Sequence, residues 1–373
     1  CDSWSRSSTS ARVTPPRFSR QRLNVNPANG RVYLIEDQTG FGKSCKELVE
    51  IDPQTGKIRL VPLPFDAEDL AFDLDGYVYL RTRGIVARYD PQSWRETPFD
   101  YGEERAAVWT SAGEGKKAPV LGGIPLHTAT SWHHGGLSVS ASRHLLACCS
   151  VEGAIEEKPT SMRATTSVQE GVPYAPKIYP GRMLWKKAAI IHVWDEHGKM
   201  IVEDAVPGLA NLNGACLDRA GAIYVMDSSC RKLDGKRLSN PMTGTLMKFR
   251  PNQGRVLSSF GAVPSPLPES ERPRRPAELA QTAGGQTADG WVEGVEWMYG
   301  GVGFDPIRGG GCSCSNSRFS LDYFGRSFAP EVSRCTVAVL DTNGNLILRV
   351  GQYGNMDDGI PLVKDGGVPA PRS

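Results

Sequence analysis

One short phrase returns along this chain, and it limits the fold more than any other feature. An apolar–any–apolar run meets an Asp, Asn or Ser, a turn follows, usually with a Gly, and a second apolar alternation begins. The copies are Leu23–Leu34 anchored on Asn26, Leu70–Leu80 on Asp73, Leu137–Leu146 on Ser140, Ala215–Val225 on Asp218 and Phe319–Phe328 on Asp322. Period-2 alternation on both sides of a polar turn is a hairpin signal, because a short side-chain oxygen can bond the turn backbone and Gly tolerates positive φ. A companion phrase follows each copy: Leu48–Asp52, Ile85–Asp90, Ile190–Asp195, Thr245–Arg250 and Thr336–Asp341, four of them reaching a Gly at Gly56, Gly198, Gly254 and Gly344. Two hairpins make four strands, and four-stranded units repeated around an axis make a β-propeller. The expectation is an all-β propeller with five blades visible.

The anchors lie 47, 67, 78 and 104 residues apart, where a blade needs roughly 40–50. The surplus points to insertions near 101–130, 153–187 and 262–311, and long loops on a rigid scaffold usually carry recognition. Residues 1–18 read as a linker or tether, Ser/Thr/Arg-rich and closed by Pro15-Pro16, with 19–373 as the propeller. The chain begins at Cys1. One reading is the lipid-anchored first cysteine of a mature bacterial lipoprotein, which would place the protein outside the cytoplasm; the other is an arbitrary start within a longer chain. Glycine (41) and proline (27) supply about 18% of the 373 residues, against roughly 12% on average, which argues for many turns and against a helical bundle. A net charge of +2 recruits neither nucleic acid nor an acidic membrane. No apolar run reaches the ~18 residues of a membrane-spanning helix. Phosphate-loop, Gly-x-Ser-x-Gly and His-Glu-x-x-His motifs are absent from the sequence.

The turn phrase together with Tyr224-Val225-Met226-Asp227, preceded by Asn213-Gly214, resembles the NHL repeat of six-bladed propellers. The resemblance runs from Leu23 to about Gly354 and is strongest in the Asn213, Phe319 and Thr336 segments. It implies a sixth blade beyond Ser373, with Gly351 and Tyr353-Gly354-Asn355 as a blade-ending phrase; an intact five-bladed ring is the alternative. Gluconolactonase-like hydrolases and peptidyl-amidoglycolate lyases are distant relatives on this reading. They imply a metal at the channel mouth.

In a propeller the residues just before each innermost strand ring that mouth. Aligned on the anchors they are Gln21, Glu68, Gly135, Asn213 and Ser317, followed by Arg22, Asp69, Gly136, Gly214 and Arg318, with His133 and His134 alongside. Glu68, Asp69 and Arg318 are the catalytic candidates. Glu68, Asn213, His133 and His134 are the metal candidates: carboxylate and amide oxygens suit Ca²⁺ or Mg²⁺, and imidazole shifts the preference toward Zn²⁺ or Mn²⁺. The plainer reading is that these groups only satisfy strand ends and channel water. Cys312 and Cys314, reached through Gly309-Gly310-Gly311, fit disulfides to Cys230 or Cys335, or a soft metal. Trp291, Trp297 and Tyr299 suggest a sugar-stacking binding loop with Glu293 and Glu296 as acid and base, or a loop plugging an apolar gap. The leading expectation is a scaffold that holds a protein, glycan or small-molecule ligand through loops at the channel mouth. A metal-dependent lactonase, hydrolase or lyase at Glu68, Asp69, His134 and Asn213 is the alternative.

Overall fold

The computed structural model describes residues 21–36, 45–82, 85–100, 120–126, 136–152, 179–182, 187–209, 212–259, 266–283, 286–303, 318–352, 360–361 and 369–370. Among these no α-helix occurs, and the repeat phrases become antiparallel sheets. Blade 1 is β1 (Gln21–Val25), β2 (Val32–Glu36), β3 (Cys45–Ile51) and β4 (Ile58–Ala67). Blade 2 is β5 (Asp69–Phe72), β6 (Val78–Arg81), β7 (Ile85–Tyr89) and β8 (Ile124–Pro125). Blade 3 is β9 (Leu137–Val139), β10 (Leu145–Glu152), β11 (Lys187–Trp194) and β12 (Met200–Val202).

From Leu212 the chain forms β13 (Leu212–Leu217), β14 (Ile223–Asp227), β15 (Cys230–Leu233), β16 (Lys236–Arg237), β17 (Gly244–Phe249), β18 (Arg255–Ser258), β19 (Leu279–Ala283), β20 (Gln286–Glu293) and β21 (Val295–Val302). Blade 4 takes β13-β14-β17-β21, and the others build an inserted five-stranded sheet in the order β16-β15-β19-β20-β18. Blade 5 is β22 (Ser320–Leu321), β23 (Ser327–Glu331), β24 (Thr336–Leu340) and β25 (Leu346–Val350). After it, β26 (Ile360–Pro361) pairs with β27 (Pro369–Ala370).

The anchors act as expected. Asp73, Asp218 and Asp322 each accept two backbone N–H bonds on Oδ1 from residues two and four places on, and Ser140 does the same through Oγ. Such a local bond lets the chain reverse without leaving turn amides unpaired. The companion hairpins repeat the device at Asp52, Asp195 and Asp341.

The blades fan where strands between neighbouring sheets bury both faces. Along β14 all five residues are buried. Ile223 and Val225 join the cluster against blade 3, while Tyr224 and Met226 join the one against blade 5. Equivalent layers lie between blades 1 and 2, through Leu48, Leu70 and Leu80, and between blades 2 and 3, through Tyr79, Leu145 and Ala147. Each fully buried Leu, Val or Ile contributes roughly 1.5–3 kcal/mol over an exposed one. The innermost strands β1, β5, β9, β13 and β22 touch in succession, which makes the fold a β-propeller.

Two expectations need correction. The fourth strand of blade 4 is not the segment just after Gly254. That segment, β18, pairs with β20 in the inserted sheet, so the free edge of β17 is taken by β21, with Leu246 opposite Tyr299 and Lys248 opposite Trp297. Much of the expected 262–311 insertion is therefore sheet. The expected 101–130 insertion is likewise shorter, since Ile124–Pro125 supplies the last strand of blade 2.

Candidate functional site at the channel mouth

Asp69 opens β5 and sits opposite Arg81 in the β5–β6 register. Its Oδ1 accepts the Leu70 N–H at 2.7 Å, and its Oδ2 accepts Arg318 Nη1 at 3.0 Å. Asp69 is 1% exposed and the Arg318 side chain 11%. The pair joins blade 5 to blade 2 rather than to a sequence neighbour, across 249 residues of chain. Two charges this far from water attract strongly, and either would be costly to leave alone.

Arg81 is also buried. It donates Nη1 to the Gly136 carbonyl at 3.1 Å and Nη2 to the Cys148 carbonyl, tying blade 2 to blade 3. Its own carbonyl accepts the Glu68 N–H at 2.7 Å, which places buried Glu68 on the same rim. Beside them burial pushes the Cys148 thiol up, against the pull of Arg81 and Arg318. The wall is tight here. A Cβ on Gly136 would stand 3.0 Å from Cys148 Sγ and 3.1 Å from the Ala215 nitrogen.

Blade 4 adds Asp227, which ends β14 opposite Leu212 and is fully buried. Ser229 Oγ donates to Asp227 Oδ2 at 3.0 Å, and Thr245 Oγ1 donates to the Ser229 carbonyl at 2.8 Å. A Cβ on Gly244 would stand 2.1 Å from the Asp227 carbonyl oxygen, so only Gly fits there.

Of the expected site residues, Glu68, Asp69 and Arg318 share the rim. Asn213 lies in β13, at the register shift between Leu212 and Gly214; its side chain lies outside the described residues, as do His133, His134, Cys312 and Cys314. Cys230 and Cys335, the expected disulfide partners, carry free thiols. Trp291, Trp297 and Tyr299 do not form a loop. Trp291 lies in β20 and donates Nε1 to the Arg275 carbonyl at 3.1 Å. Trp297 and Tyr299 lie in β21 and pack into the layer against blade 5. Trp297 donates to the Thr342 carbonyl at 2.9 Å, and Tyr299 donates to Glu331 Oε1 at 2.9 Å. Glu293 and Glu296 are not an acid–base pair either: one bridges Arg255, the other Lys248.

Arg81 and Asp227 were missed. Counting outward from the Asp73–Gly76 turn puts Arg81 directly across from Asp69, and Asp227 closes the Tyr224–Asp227 phrase, so both had a sequence signal. A metal finds no fit among the described residues. No three His, Cys, Asp or Glu side chains converge there, and Asp69 is engaged by Arg318.

No family model matches the chain, and no curated protein matches it. Solved structures do. A calcium-binding regucalcin from Agrobacterium tumefaciens is 14% identical, with a TM-score of 0.41 over 89% of this chain and 74% of that one. A gluconolactonase from Xanthomonas campestris is 11% identical, with a TM-score of 0.39 over 89% and 75%. A virginiamycin B lyase from Staphylococcus aureus is 8% identical, with a TM-score of 0.38 over 90% and 71%. Gluconolactonase-like propellers were the expected distant relatives, and they stand among these neighbours.

Proposed function

We propose that the protein acts on a small, oxygen-rich molecule at the channel mouth, by hydrolysis of a lactone or ester or by elimination. The observation that carries this is the burial of Glu68, Asp69 and Arg81 where β5 begins, with the half-buried Arg318 paired to Asp69. A flat protein partner reaches exposed side chains; groups this enclosed suit a small molecule better. Asp69 holds the Arg318 guanidinium in one orientation, so a ligand carboxylate or a developing oxyanion would meet a preset donor. Glu68 is the group suited to accept a proton from water or substrate. Asp69 is a positioning residue.

The test pairs turnover of glucono-1,5-lactone with calorimetric binding of gluconate. Arg318→Met should weaken gluconate binding about 10- to 150-fold, the range of one charge-assisted hydrogen bond. Glu68→Gln should abolish turnover while leaving binding within a few fold. Unchanged binding and turnover in both variants would refute the reading. A second reading, docking of a macromolecule, draws on the β15–β16 hairpin, where Leu233 and Leu238 are exposed beside Lys236 and Arg237. Loss of partner capture on Leu233→Glu/Leu238→Glu, with turnover intact, would favour it.

A further inference from the structure

Each innermost strand ends on an apolar residue: Val25 in β1, Phe72 in β5, Val139 in β9, Leu217 in β13 and Leu321 in β22. All five line one axial cavity of about 850 Å³, which falls within the roughly 300–1,000 Å³ of small-molecule sites. Asp69 opens β5 and Phe72 closes it, so this cavity lies at the other end of the channel from the Asp69–Arg318 pair. Three strand steps of ~3.4 Å put about 10 Å between the two ends.

The inner turns repeat the pattern. The residues that follow the five anchors are Pro27, Leu74, Ala141, Arg219 and Tyr323, and all of them line the cavity. Solvated turns favour Gly, Pro, Asn, Asp and Ser. The outer hairpins place Pro53, Pro91, Glu196 and Thr342 at the same position, with no large apolar residue. Leu74 and Tyr323 are thus not called for by the turns they sit in, yet they stand 41% and 55% exposed beside Phe324 at 72%. A cluster of uncovered apolar groups around a cavity marks a contact surface. The ring of turns is also preformed: Asn26 donates to the Gly76 carbonyl, Arg143 pairs with Asp75, and Ser142 donates to the Arg219 carbonyl.

The polar groups of the wall set the chemistry of a guest. Its acceptors are engaged by the protein itself. Asp322 Oδ1 takes two turn N–H groups, and its Oδ2 pairs with Arg326 Nε at 2.7 Å. Asp218 Oδ1 takes two more, and its Oδ2 accepts the Tyr224 hydroxyl at 3.5 Å. Ser140 Oγ holds the Ser142 and His144 amides, and the Thr342 carbonyl accepts Trp297 Nε1 and Lys248 Nζ. The cation of the described wall is Arg219, which is exposed and brings five N–H donors and no acceptor. Tyr323 and Phe324 meet edge to face with ring centres 5.7 Å apart, and the Arg326 guanidinium lies 5.2 Å over Phe324. A third ring can join such a pair at the same edge-to-face or offset geometry.

We propose that this cavity is a second binding site, for a small aromatic carboxylate. The carboxylate pairs with the Arg219 guanidinium, and the ring lies against Tyr323 and Phe324 over the apolar strand ends. A wall whose acceptors are taken and whose cation offers only donors selects a guest that accepts hydrogen bonds. An ammonium of the same shape would meet Arg219 as a like charge. The site shares no residue with Glu68, Asp69, Arg81 and Arg318, and it stands whether or not that end of the channel is catalytic.

Ligand-detected NMR with three probes of one shape tests this: 1-naphthaleneacetate, uncharged 1-naphthaleneethanol and cationic 1-naphthylmethylamine. The acetate should bind with a Kd at or below about 1 mM, as expected for a ligand of its size. Arg219→Gln should weaken it about 10- to 150-fold, the range of one charge-assisted hydrogen bond, and leave the ethanol within a few fold. Phe324→Ser should weaken both, by about 2- to 12-fold. Both residues are exposed in their turns, so neither substitution disturbs the fold. Excess gluconate and Arg318→Met should leave the acetate bound. No binding of the acetate at several times that concentration would overturn the proposal. So would an amine bound as tightly as the acetate, or acetate binding unmoved by Arg219→Gln. Loss of the acetate on Arg318→Met, with Arg219→Gln silent, would assign it to the channel mouth and overturn the second site.

Discussion

Replacing Arg318 by Met removes the guanidinium bonded to Asp69 Oδ2 and leaves a carboxylate that is 1% exposed. At the observed 3.0 Å the two charges attract by about 5 kcal/mol at an effective dielectric near 20. Desolvation offsets part of that in the intact protein, and its cost remains without this attraction once Arg318 is gone. The expected loss is therefore about 3–5 kcal/mol, the range for breaking one half of a buried pair. That is roughly two to nearly four powers of ten in the unfolding equilibrium. Asp69→Asn/Arg318→Met buries no charge and should recover much of the loss, giving a coupling energy of about 2 kcal/mol or more. Urea unfolding followed by tryptophan fluorescence reads all four members of the cycle. A single-variant loss below about 1 kcal/mol would place the pair in the class of exposed ion pairs. The link from blade 5 to blade 2, and the enclosed mouth with it, would then be wrong.

Three further outcomes are expected. Burial pushes the Glu331 carboxyl up, but hydrogen bonds from Arg349, Tyr299 and Thr336 outweigh it and hold it below its ordinary value. Its stabilisation is thus full above about pH 4.3 and is lost as pH falls through the lower folded value; wild type should lose stability there faster than Glu331→Gln, and parallel pH curves would contradict this. Gly244→Ala should cost about 1–3 kcal/mol or more, because its Cβ would meet the Asp227 carbonyl at 2.1 Å; an unshifted urea midpoint would count against the close approach of β17 to β14. Pulse alkylation with mass spectrometry should modify exposed Cys335 quickly and leave buried Cys148, Cys149 and Cys230 until unfolding. Equal rates for Cys148 and Cys335 would show that the channel wall is open.

The blades were legible because their signal is local. Asp73, Asp218 and Asp322 each build a turn from residues within four places, so a phrase of ten residues states both the hairpin and its register. Arg81 opposite Asp69 belongs to the same class, reached by counting from a known turn. The outer strand of blade 4 was not legible, because β17 finds its partner only after an insertion that forms its own five-stranded sheet. Trp297 and Tyr299 then read as a binding loop, although β21 needs their rings to fill the layer against blade 5. Arg318 could be placed on the rim by alignment. Its choice of Asp69, from a blade three positions away in the series, depends on how the strands fan around the axis, and no short phrase encodes that.

The location of the site can be read in one experiment: hydrogen exchange of the intact protein with and without saturating gluconate. Slowed exchange at the start of β5, around Glu68–Leu70, together with the segment from Arg318 into β22, is the predicted pattern. Protection confined to the β15–β20 sheet, or none at either strand start, would contradict a site built where the innermost strands begin.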